Sequence, residues 1–478
     1  MTRREFEITD EEHAMQCLMK AIGAKWITGL LAGCMAFFMV CQTGYADTGQ
    51  KSRTEAASTG EEIIHRRVLD LSGDIKVKKP KRKSARGSSG ELPEITDQKY
   101  WNAFSSRYYY QDLSADEKKF YDAYCDSLNE FLITDLDAYQ IQSYNEDNQM
   151  ITLYASRKVD VPATVSDEKL DEIATLVEYE NPQYFFHFSY AAHTTDGTRV
   201  DYVYPVILEE FRSGSTRAEA AYQIMEAASD YLEAAEGAGS VLEKETIIHN
   251  KMIENICYKY DENGDTDWGN LYQTSASTFL FGTTVCAGYA KGFSMLMNAL
   301  GVPTVAVTSL SHAWNEVMID GGWYNVDVTW DDKDKNTGLD ATAASQSARQ
   351  YFNISDATMR SRDGYSYYMH VPESFYTIRP ACSKDYAVPK PVTLKLKKVA
   401  AGQMKVTGST SGEIQGYQIS YKVGTKEKTV AVATRGVLSK KITKLTKGKT
   451  VKARIRTYLV ILGEKNYSAW TAYRKVKV

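Results

Sequence analysis

Cysteine is scarce in this sequence and shows no regular spacing. The chain has seven cysteines among 478 residues, and three of them, Cys17, Cys34 and Cys41, lie in the first 46 residues. A fold held together by disulfides needs a dense framework of paired cysteines, which this spacing does not provide. We therefore expect ordinary hydrophobic cores to stabilise the chain, which is long enough for two or three domains.

An excess of charge of either sign is also lacking. The sequence has 57 Lys and Arg against 61 Asp and Glu, and its formal net charge is −4. This balance gives no reason to expect nucleic acid or an anionic membrane surface as a partner. The local exception is KVKKPKRKSARG at 76–87. Because its surroundings are too polar to bury a core, we interpret it as part of a disordered tether, with contact to a cell-wall polymer as the alternative.

Long apolar runs are limited to one, WITGLLAGCMAFFMVC at 26–41. Together with a cleavage point at Ala46, it predicts a signal peptide or N-terminal membrane anchor over residues 1–46. The acidic beginning of the chain is unusual for such a signal, and a start at Met19 gives a short basic region instead. The run is short for a transmembrane helix. We expect the remaining chain to be secreted or to lie on the extracellular face of the cell envelope, contacting the membrane only through this segment if it is uncleaved.

Changes in composition and pattern divide the rest of the chain into four segments. Ser114 followed by Glu117 predicts a capping box at the start of a helix, and later runs such as GYQISYKV alternate as β-strands do. The predicted segments are a disordered basic linker (47–98), an α+β N-terminal extension (99–210), a mixed helix and strand core (211–388) and an all-β sandwich (389–478). The extension is interpreted as an integral part of the core, with a prodomain-like cover over a cleft as the alternative.

A cysteine opens one of the predicted helices, in TTVCAGYAKGFSMLMNALGVP at 283–303. Thr284 can cap this helix, and Gly301 ends it. Cys286 then lies in the first turn, where free backbone N–H groups and the helix dipole favour a thiolate. A lone cysteine in such a place is more often a small buried hydrophobe, so this position alone does not establish a nucleophile.

A hairpin downstream supplies partners for that cysteine. The stretch SHAWNEVMIDGGWYNVDVTWDD at 311–332 reads as two strands joined by a tight Asp320–Gly321 turn. With this two-residue loop, His312 and Asp327 share one face and lie diagonally, whereas a three-residue loop would put them on opposite faces. An imidazole held by a carboxylate is the general base that a nucleophilic cysteine needs.

The cysteine helix and the hairpin together resemble the core of transglutaminase-like proteins, specifically the bacterial secreted type. The resemblance includes EKETIIHNKMIENICYKYD upstream and YFNISD at 351–356, and it covers roughly 215–360. It implies a papain-like α+β fold in which N-terminal helices pack on an antiparallel sheet. It also implies a catalytic triad of Cys286, His312 and Asp327.

The family chemistry that this resemblance implies is covalent catalysis on peptide or isopeptide bonds. The thiolate attacks the carbonyl, the histidine protonates the leaving amine, and water or an amine resolves the thioester. We expect a peptidase acting on a protein or peptide, with cell-wall peptide as one candidate, and needing no cofactor. The alternatives are a protein cross-linking acyltransferase and a non-catalytic cell-surface binding module on the same fold.

Further residues are assigned weaker roles. The backbone N–H of Cys286 and the side chain of Gln273 are candidate oxyanion donors. Tyr289, Trp314 and Trp330 are candidates for the substrate cleft, with core packing as the alternative. No metal site is predicted, because the acidic loops at 261–270 and 331–338 lack the Gly and Glu of an EF-hand. The other histidines are given no role because they lack the spacing of metal ligands (His187, His193, His249, His370).

The final segment, 389–478, resembles the fibronectin type III-like modules of secreted bacterial proteins. Two residues depart from that pattern, since Gly408 stands where such modules carry a core Trp and Val451 where they carry a Tyr. The resemblance implies a module that spaces or attaches the catalytic core and has no ligand site of its own.

Overall fold

The computed structural model describes most of the chain from residue 93 onward, together with the backbone of one short strand, β1 (Ile63–His65). The gaps in this description are 146–148, 196, 261–265, 268, 333–348 and 364–368. The predicted signal or anchor (1–46) and nearly all of the predicted linker (47–98) lie outside the described residues. None of the helices in the described part is long and apolar enough to span a membrane.

The first structural unit is a mixed sheet covered by helices. Its sheet has the strand order β3-β2-β1-β5-β6-β4. Its helices are α1 (Gln98–Asn102), α2 (Ala115–Leu132) and α3 (Asp167–Glu180), and its strands after β1 are β2 (Tyr139–Tyr144), β3 (Met150–Ala155), β4 (Val159–Asp160), β5 (His187–His193) and β6 (Tyr202–Ile207). The predicted capping box at the start of α2 is confirmed, because Ser114 and Glu117 bond each other's backbone N–H groups.

The second unit places one helix on a four-stranded antiparallel sheet of order β12-β11-β10-β9. Two long helices, α4 (Gly214–Glu236) and α5 (Val241–Asn255), precede the short parallel pair β7 (Cys257–Tyr258) and β8 (Thr283–Thr284). The remaining elements are α6 (Cys286–Ala299), β9 (Thr304–Thr308), β10 (Ala313–Ile319), β11 (Gly322–Val326), α7 (Val328–Asp331), β12 (Phe352–Ile354) and α8 (Asp356–Asp363). Helix α6 packs against β9 and β10, so the cysteine helix lies directly on the sheet that carries the hairpin.

The β10–β11 hairpin has the predicted two-residue loop. Its register pairs Asn315 with Val326 and Ile319 with Gly322. Asp320 and Gly321 both have positive φ, at 52° and 74°, which is the backbone that a type I′ turn requires. Pairing stops at Val326, because Asp327 caps α7 instead of continuing the strand.

The first two units share a hydrophobic core. One cluster contains buried aromatic residues of the N-terminal segment, such as Tyr109 and Phe186, together with Met295 of α6 and Trp314 of β10. Residues 99–210 are therefore continuous with the core around the cysteine helix, although the exact segment boundaries stay predictions.

The C-terminal part is a sandwich of two antiparallel sheets. Its strands are β13 (Thr393–Ala400), β14 (Gln403–Ser409), β15 (Gly416–Val423), β16 (Lys426–Ala433), β17 (Leu438–Ile442), β18 (Thr450–Ile461), β19 (Glu464–Tyr467) and β20 (Arg474–Lys477). One sheet is β13-β14-β17, and the other is β16-β15-β18-β19 with β20 paired to β18. The predicted fold class, mixed helix and sheet followed by a β-sandwich, is confirmed.

The two departures from the fibronectin-type pattern fit this sandwich. A Cβ atom at Gly408 would lie 2.5 Å from the side chain of Ile455, so the core has no room there for a larger residue. Val451 is fully buried and fills its own position in the same core.

Candidate active site

Cys286 is the first residue of α6, at the end of the cysteine helix that faces the hairpin. The residue before it, Val285, is the N-cap and provides no side-chain cap. The predicted cap at Thr284 is therefore wrong: its hydroxyl donates instead to the backbone carbonyl of Tyr272 at 2.7 Å. The close turn also needs Gly288, because a Cβ there would lie 1.8 Å from the hydroxyl oxygen of Thr284. These contacts hold the first turn of α6 while its N–H groups stay free of side-chain caps.

The thiol of Cys286 is hydrogen-bonded to the imidazole of His312. Cys286 is 3% exposed and His312 is 5% exposed, so the contact is shielded from water. The thiol is not committed to a disulfide, since Cys286 and Cys257 are both free.

His312 in turn donates from Nε2 to Oδ2 of Asp327, at 2.6 Å. Asp327 is 1% exposed, and its Oδ1 accepts from the backbone N–H of Trp330 at 3.0 Å. Burial opposes the charge on His312, but the Asp327 carboxylate and the Cys286 thiol raise the pKa of His312 to about 10. Burial likewise opposes the charge on Asp327, but hydrogen bonds and charge from His312 and His370 hold the pKa of that carboxyl below its usual value. The structure thus joins the three residues of the predicted triad by hydrogen bonds.

His370 also lies in this cluster, although the sequence assigned it no role. Its Nε2 is 2.8 Å from Oδ2 of Asp327, and its Nδ1 is 2.9 Å from both carboxylate oxygens of Asp363. His370 and Asp363 are both buried. Sequence spacing gave no signal for this contact, because His370 follows Asp327 by 43 residues and reaches it only through the fold.

Aromatic rings enclose the histidines. Trp314 stacks nearly parallel to the His312 ring, at 13° and 6.3 Å between centroids, and its Nε1 donates to Asn325. Trp330 lies 5.9 Å from His312 and is half-buried. Trp314 and Tyr289 are each 1% exposed, and the Tyr289 hydroxyl donates to Asp332 at 2.5 Å. Of the three predicted cleft residues, Trp330 alone retains appreciable exposed surface, and the other two pack in the core.

The predicted oxyanion donors are placed differently. The backbone N–H of Cys286 belongs to the first turn of α6, outside the helix's own hydrogen-bond ladder. Gln273 ends a 3-10 turn, Asn270–Gln273, whose contacts with α6 include a hydrogen bond from Lys291 to the Gln273 carbonyl at 2.9 Å. Both oxyanion roles stay predictions.

Tyr258 is a further neighbour of the site that sequence reasoning missed. Its strand, β7, pairs Tyr258 with Thr284, two residues before the cysteine. Burial raises the pKa of Tyr258 well above its usual value, and the nearby Cys286 and Asp327 raise it further. The phenol therefore stays protonated beside the thiol.

Two groups of side chains bring potential metal ligands within 4.8 Å of one another: His312 with Asp327 and His370, and Glu316 with Asp356 and Cys382. In the first group Nε2 of His312 and Nε2 of His370 already lie at hydrogen-bond distance from Oδ2 of Asp327. In the second group the guanidinium of Arg379 bonds both carboxylates and balances their charge. We assign a metal to neither group.

Comparisons with known proteins give limited likenesses. The third fibronectin III domain of the human KIAA0343 protein is 14% identical over 18% of this chain and 78% of that domain, with a TM-score of 0.16. An FN3 domain of human collagen XX is 14% identical over 19% of this chain and 93% of that chain, also with a TM-score of 0.16. TM-scores this low give no information about the function of this protein. A search among curated proteins found no match. The family model of the transglutaminase-like superfamily matches residues 228–328, a region that holds Cys286, His312 and Asp327.

Proposed function

We propose that this protein is a cysteine enzyme that cleaves peptide or isopeptide bonds through a thioester intermediate. The observation that carries the proposal is the hydrogen-bonded chain from Cys286 through His312 to Asp327, placed at the start of a helix. A nucleophile, a base bonded to it and a carboxylate that orients the base are the parts that such chemistry needs. The match to the transglutaminase-like superfamily supports the same class of enzyme.

In the proposed reaction the Cys286 thiolate attacks the substrate carbonyl carbon and forms a C–S bond. The backbone N–H of Cys286 donates to the oxyanion that develops. The His312 imidazolium then gives its proton to the leaving amine as the C–N bond breaks, which leaves a thioester. His312, now neutral, takes a proton from water, and the resulting hydroxide attacks the thioester and releases the acid and the thiolate.

Asp327 acts on this reaction through His312. Its Oδ2 fixes the ring so that Nδ1 faces the thiol, and its negative charge stabilises the imidazolium. Trp314, stacked on the ring, restricts rotation of the imidazole. Both contacts reduce the reorganisation that proton transfer requires.

We favour hydrolysis because water is always available as the acceptor, whereas cross-linking needs a second site that binds an amine. The reacting groups are 5% exposed or less, so a substrate must displace a covering side chain to reach the thiol. Trp330 is the partly exposed ring nearest His312 and is the first candidate for that movement.

We further propose that the enzyme acts outside the cell, as a bacterial secreted protein with a protein or peptide substrate. This part rests on the apolar run at 26–41 and on the sandwich at 389–478, of the kind that attaches catalytic cores to surfaces. Release of residues 1–46 from the exported protein, read by N-terminal sequencing, tests it.

The decisive experiment is the pH dependence of iodoacetamide labelling, read residue by residue by mass spectrometry. Cys286→Ala is the blank, and the free, half-buried Cys257 is the reference thiol within the same chain. We expect Cys286 to label rapidly near neutral pH and much more slowly in His312→Ala, while Cys257 is unchanged. Labelling of Cys286 that His312→Ala leaves unchanged would refute the proposal. Peptide cleavage and amine incorporation, measured side by side, then separate a peptidase from an acyltransferase.

A further inference from the structure

One oxygen of Asp327 serves two histidines. Oδ2 accepts from His312 at 2.6 Å and faces Nε2 of His370 at 2.8 Å, while Oδ1 accepts from the backbone of Trp330. The carboxylate is therefore held by three N–H donors from three parts of the chain. Only one of them, His312, reaches the thiol.

His370 lies between two carboxylates. Its Nε2 faces Asp327 and its Nδ1 faces both oxygens of Asp363. A carboxylate accepts and does not donate, so satisfying both neighbours requires a proton on each ring nitrogen, which is the positively charged imidazolium. His370 is 4% exposed, and a charge buried this deeply needs such partners.

We propose that His370 and Asp363 form a positioning dyad, which holds Asp327 in place and supplies a positive charge that tunes the His312–Cys286 pair. The proposal rests on the proposed function, because it extends the triad to a chain of five side chains. His370 and Asp363 do not contact the thiol, and they act only through Asp327 and His312.

The charge on His370 has a definite effect on its neighbours. The rings of His312 and His370 are 5.0 Å apart, so the positive charge of His370 disfavours a proton on His312 and favours the thiolate on Cys286. Among the described residues, which exclude 364–368, the charged and titratable groups that contact His370 besides His312 are Asp327 before α7, Asp363 at the end of α8, and Tyr351 before β12, whose hydroxyl bonds Asp363. Arg362 on α8 is near Tyr351 and adds positive charge at a greater distance.

A metal ion between the two histidines fits the distances less well than protons do. Ligand atoms around a tetrahedral zinc, at about 2.0–2.2 Å from the ion, lie roughly 3.3 Å from one another. The two Nε2–Oδ2 separations here are 2.6 and 2.8 Å, which are lengths of charge-assisted hydrogen bonds.

A second buried histidine offers a matched control. His249 lies in α5 with its Nε2 at 3.1 Å from Oδ2 of Asp331, and both side chains are buried. Asp331 accepts from the backbone N–H groups of Gln350 and Tyr351. A substitution at His249 therefore removes the same kind of buried pair without touching Asp327.

The test compares His370→Gln, which keeps an N–H donor but no charge, with His370→Ala, which keeps neither. The readout is the rate at which iodoacetamide alkylates Cys286 in the full chain, measured as a function of pH. This profile should have two inflections, one where the thiolate–imidazolium pair forms and one where His312 loses its proton. Loss of a positive charge about 5 Å away should move both inflections to higher pH by about one unit or more. His370→Ala should also lower the rate about tenfold across the profile, as removal of an outer hydrogen-bond partner does elsewhere, and His370→Gln should restore much of that rate. His249→Gln and His249→Ala should change neither inflection.

Unshifted inflections in a folded His370→Gln protein, or the same change in both His249 variants, would overturn the dyad. Thermal unfolding of each variant shows which of them are folded, and His370→Gln carries the test if His370→Ala is not. Faster labelling of the wild-type protein after EDTA treatment would also overturn it, because a metal would then occupy the place of the protons. Failure of the proposed function looks different: wild-type Cys286 would then label like Cys257, with no dependence on His312.

Discussion

Replacement of Asp327 by Asn tests the site most sharply, because it changes one oxygen to an NH2 group and leaves the volume unchanged. Both carboxylate oxygens are acceptors: Oδ2 takes bonds from His312 and His370, and Oδ1 takes one from the N–H of Trp330. An amide has one oxygen. Either its NH2 group faces the two histidines, or it faces the backbone N–H of Trp330, which the Asp327 side chain caps at the start of α7.

The first orientation forces His312 to accept at Nε2, so its remaining proton moves to Nδ1, which faces the thiol. The ring then cannot take a proton from Cys286. The same substitution in a serine protease triad lowers turnover about 10,000-fold by this change of tautomer, which corresponds to about 5.5 kcal/mol of lost transition-state stabilisation. The second orientation keeps the tautomer, but it loses the cap of α7 at a cost of about 1 kcal/mol in the free energy of unfolding.

We expect a loss of activity of more than about tenfold in either orientation, because both remove the negative charge of Asp327 that stabilises the His312 imidazolium. The assay is alkylation of Cys286 by iodoacetamide at neutral pH together with cleavage of a fluorescein-labelled casein, with Asp331→Asn as the matched control. Asp331 is buried and bonded to His249, but it has no bond to the His312–Cys286 pair. Activity of Asp327→Asn within tenfold of the wild type would refute the assignment of Asp327 as the residue that orients His312.

Three further predictions concern His312, Gly288 and Lys291. The folded pKa of His312 is about 10, above the unfolded value of about 6.5. Its contribution to stability should therefore be complete below about pH 6.5 and lost as the pH rises through 10. Urea unfolding from about pH 6 to about pH 10.5 measures this dependence, and His312→Ala should flatten it. Gly288→Ala places a methyl group 1.8 Å from Thr284 Oγ1, so thermal unfolding should show a loss of about 2 kcal/mol or more, and an unchanged midpoint would contradict the close approach. Lys291 of α6 forms a buried ion pair with Glu178 of α3. Lys291→Met should lower the free energy of unfolding by about 3–5 kcal/mol because Glu178 is left charged and buried, and Lys291→Met with Glu178→Leu should recover most of it. A double variant no more stable than the single one would count against this ion pair.

The hairpin and the histidine cluster show what local sequence determines. The Asp320–Gly321 turn needs positive φ at both positions, and these two residue types tolerate it, so the register of β10 and β11 followed from the turn. The pairing of His312 with Asp327 followed from that register, even though Asp327 leaves the strand. His370 could not be inferred this way, because no turn or helix repeat relates it to Asp327 and only the folded chain brings them to 2.8 Å.

The start of α6 and the burial of two aromatic residues show where residue type alone is a weak guide. Thr284 suits a helix N-cap by residue type, but α6 begins one residue later, with Val285 as the N-cap, and the Thr284 hydroxyl donates to the carbonyl of Tyr272. Tyr289 and Trp314, which were candidates for the cleft with core packing as the alternative, are both buried, and each has a polar atom that donates to a partner, Asp332 and Asn325. A satisfied Tyr or Trp can be buried in a core at no polar cost.

A buried ion pair joins the N-terminal extension to α6. Lys291, on the same helix as Cys286, reaches Glu178 of α3 at 2.5 Å, and its ammonium lies over the ring of Tyr179, 4.5 Å from the centroid. The side chain of Tyr179 also packs against a cluster of buried alanines that includes Ala287 and Ala290 of α6. Removing the extension would leave the Lys291 ammonium without its carboxylate and expose small apolar residues beside the thiol. This pair supports the interpretation of residues 99–210 as an integral extension of the core and not a removable cover. We therefore expect a chain that lacks the extension to lose the arrangement of Cys286 and His312.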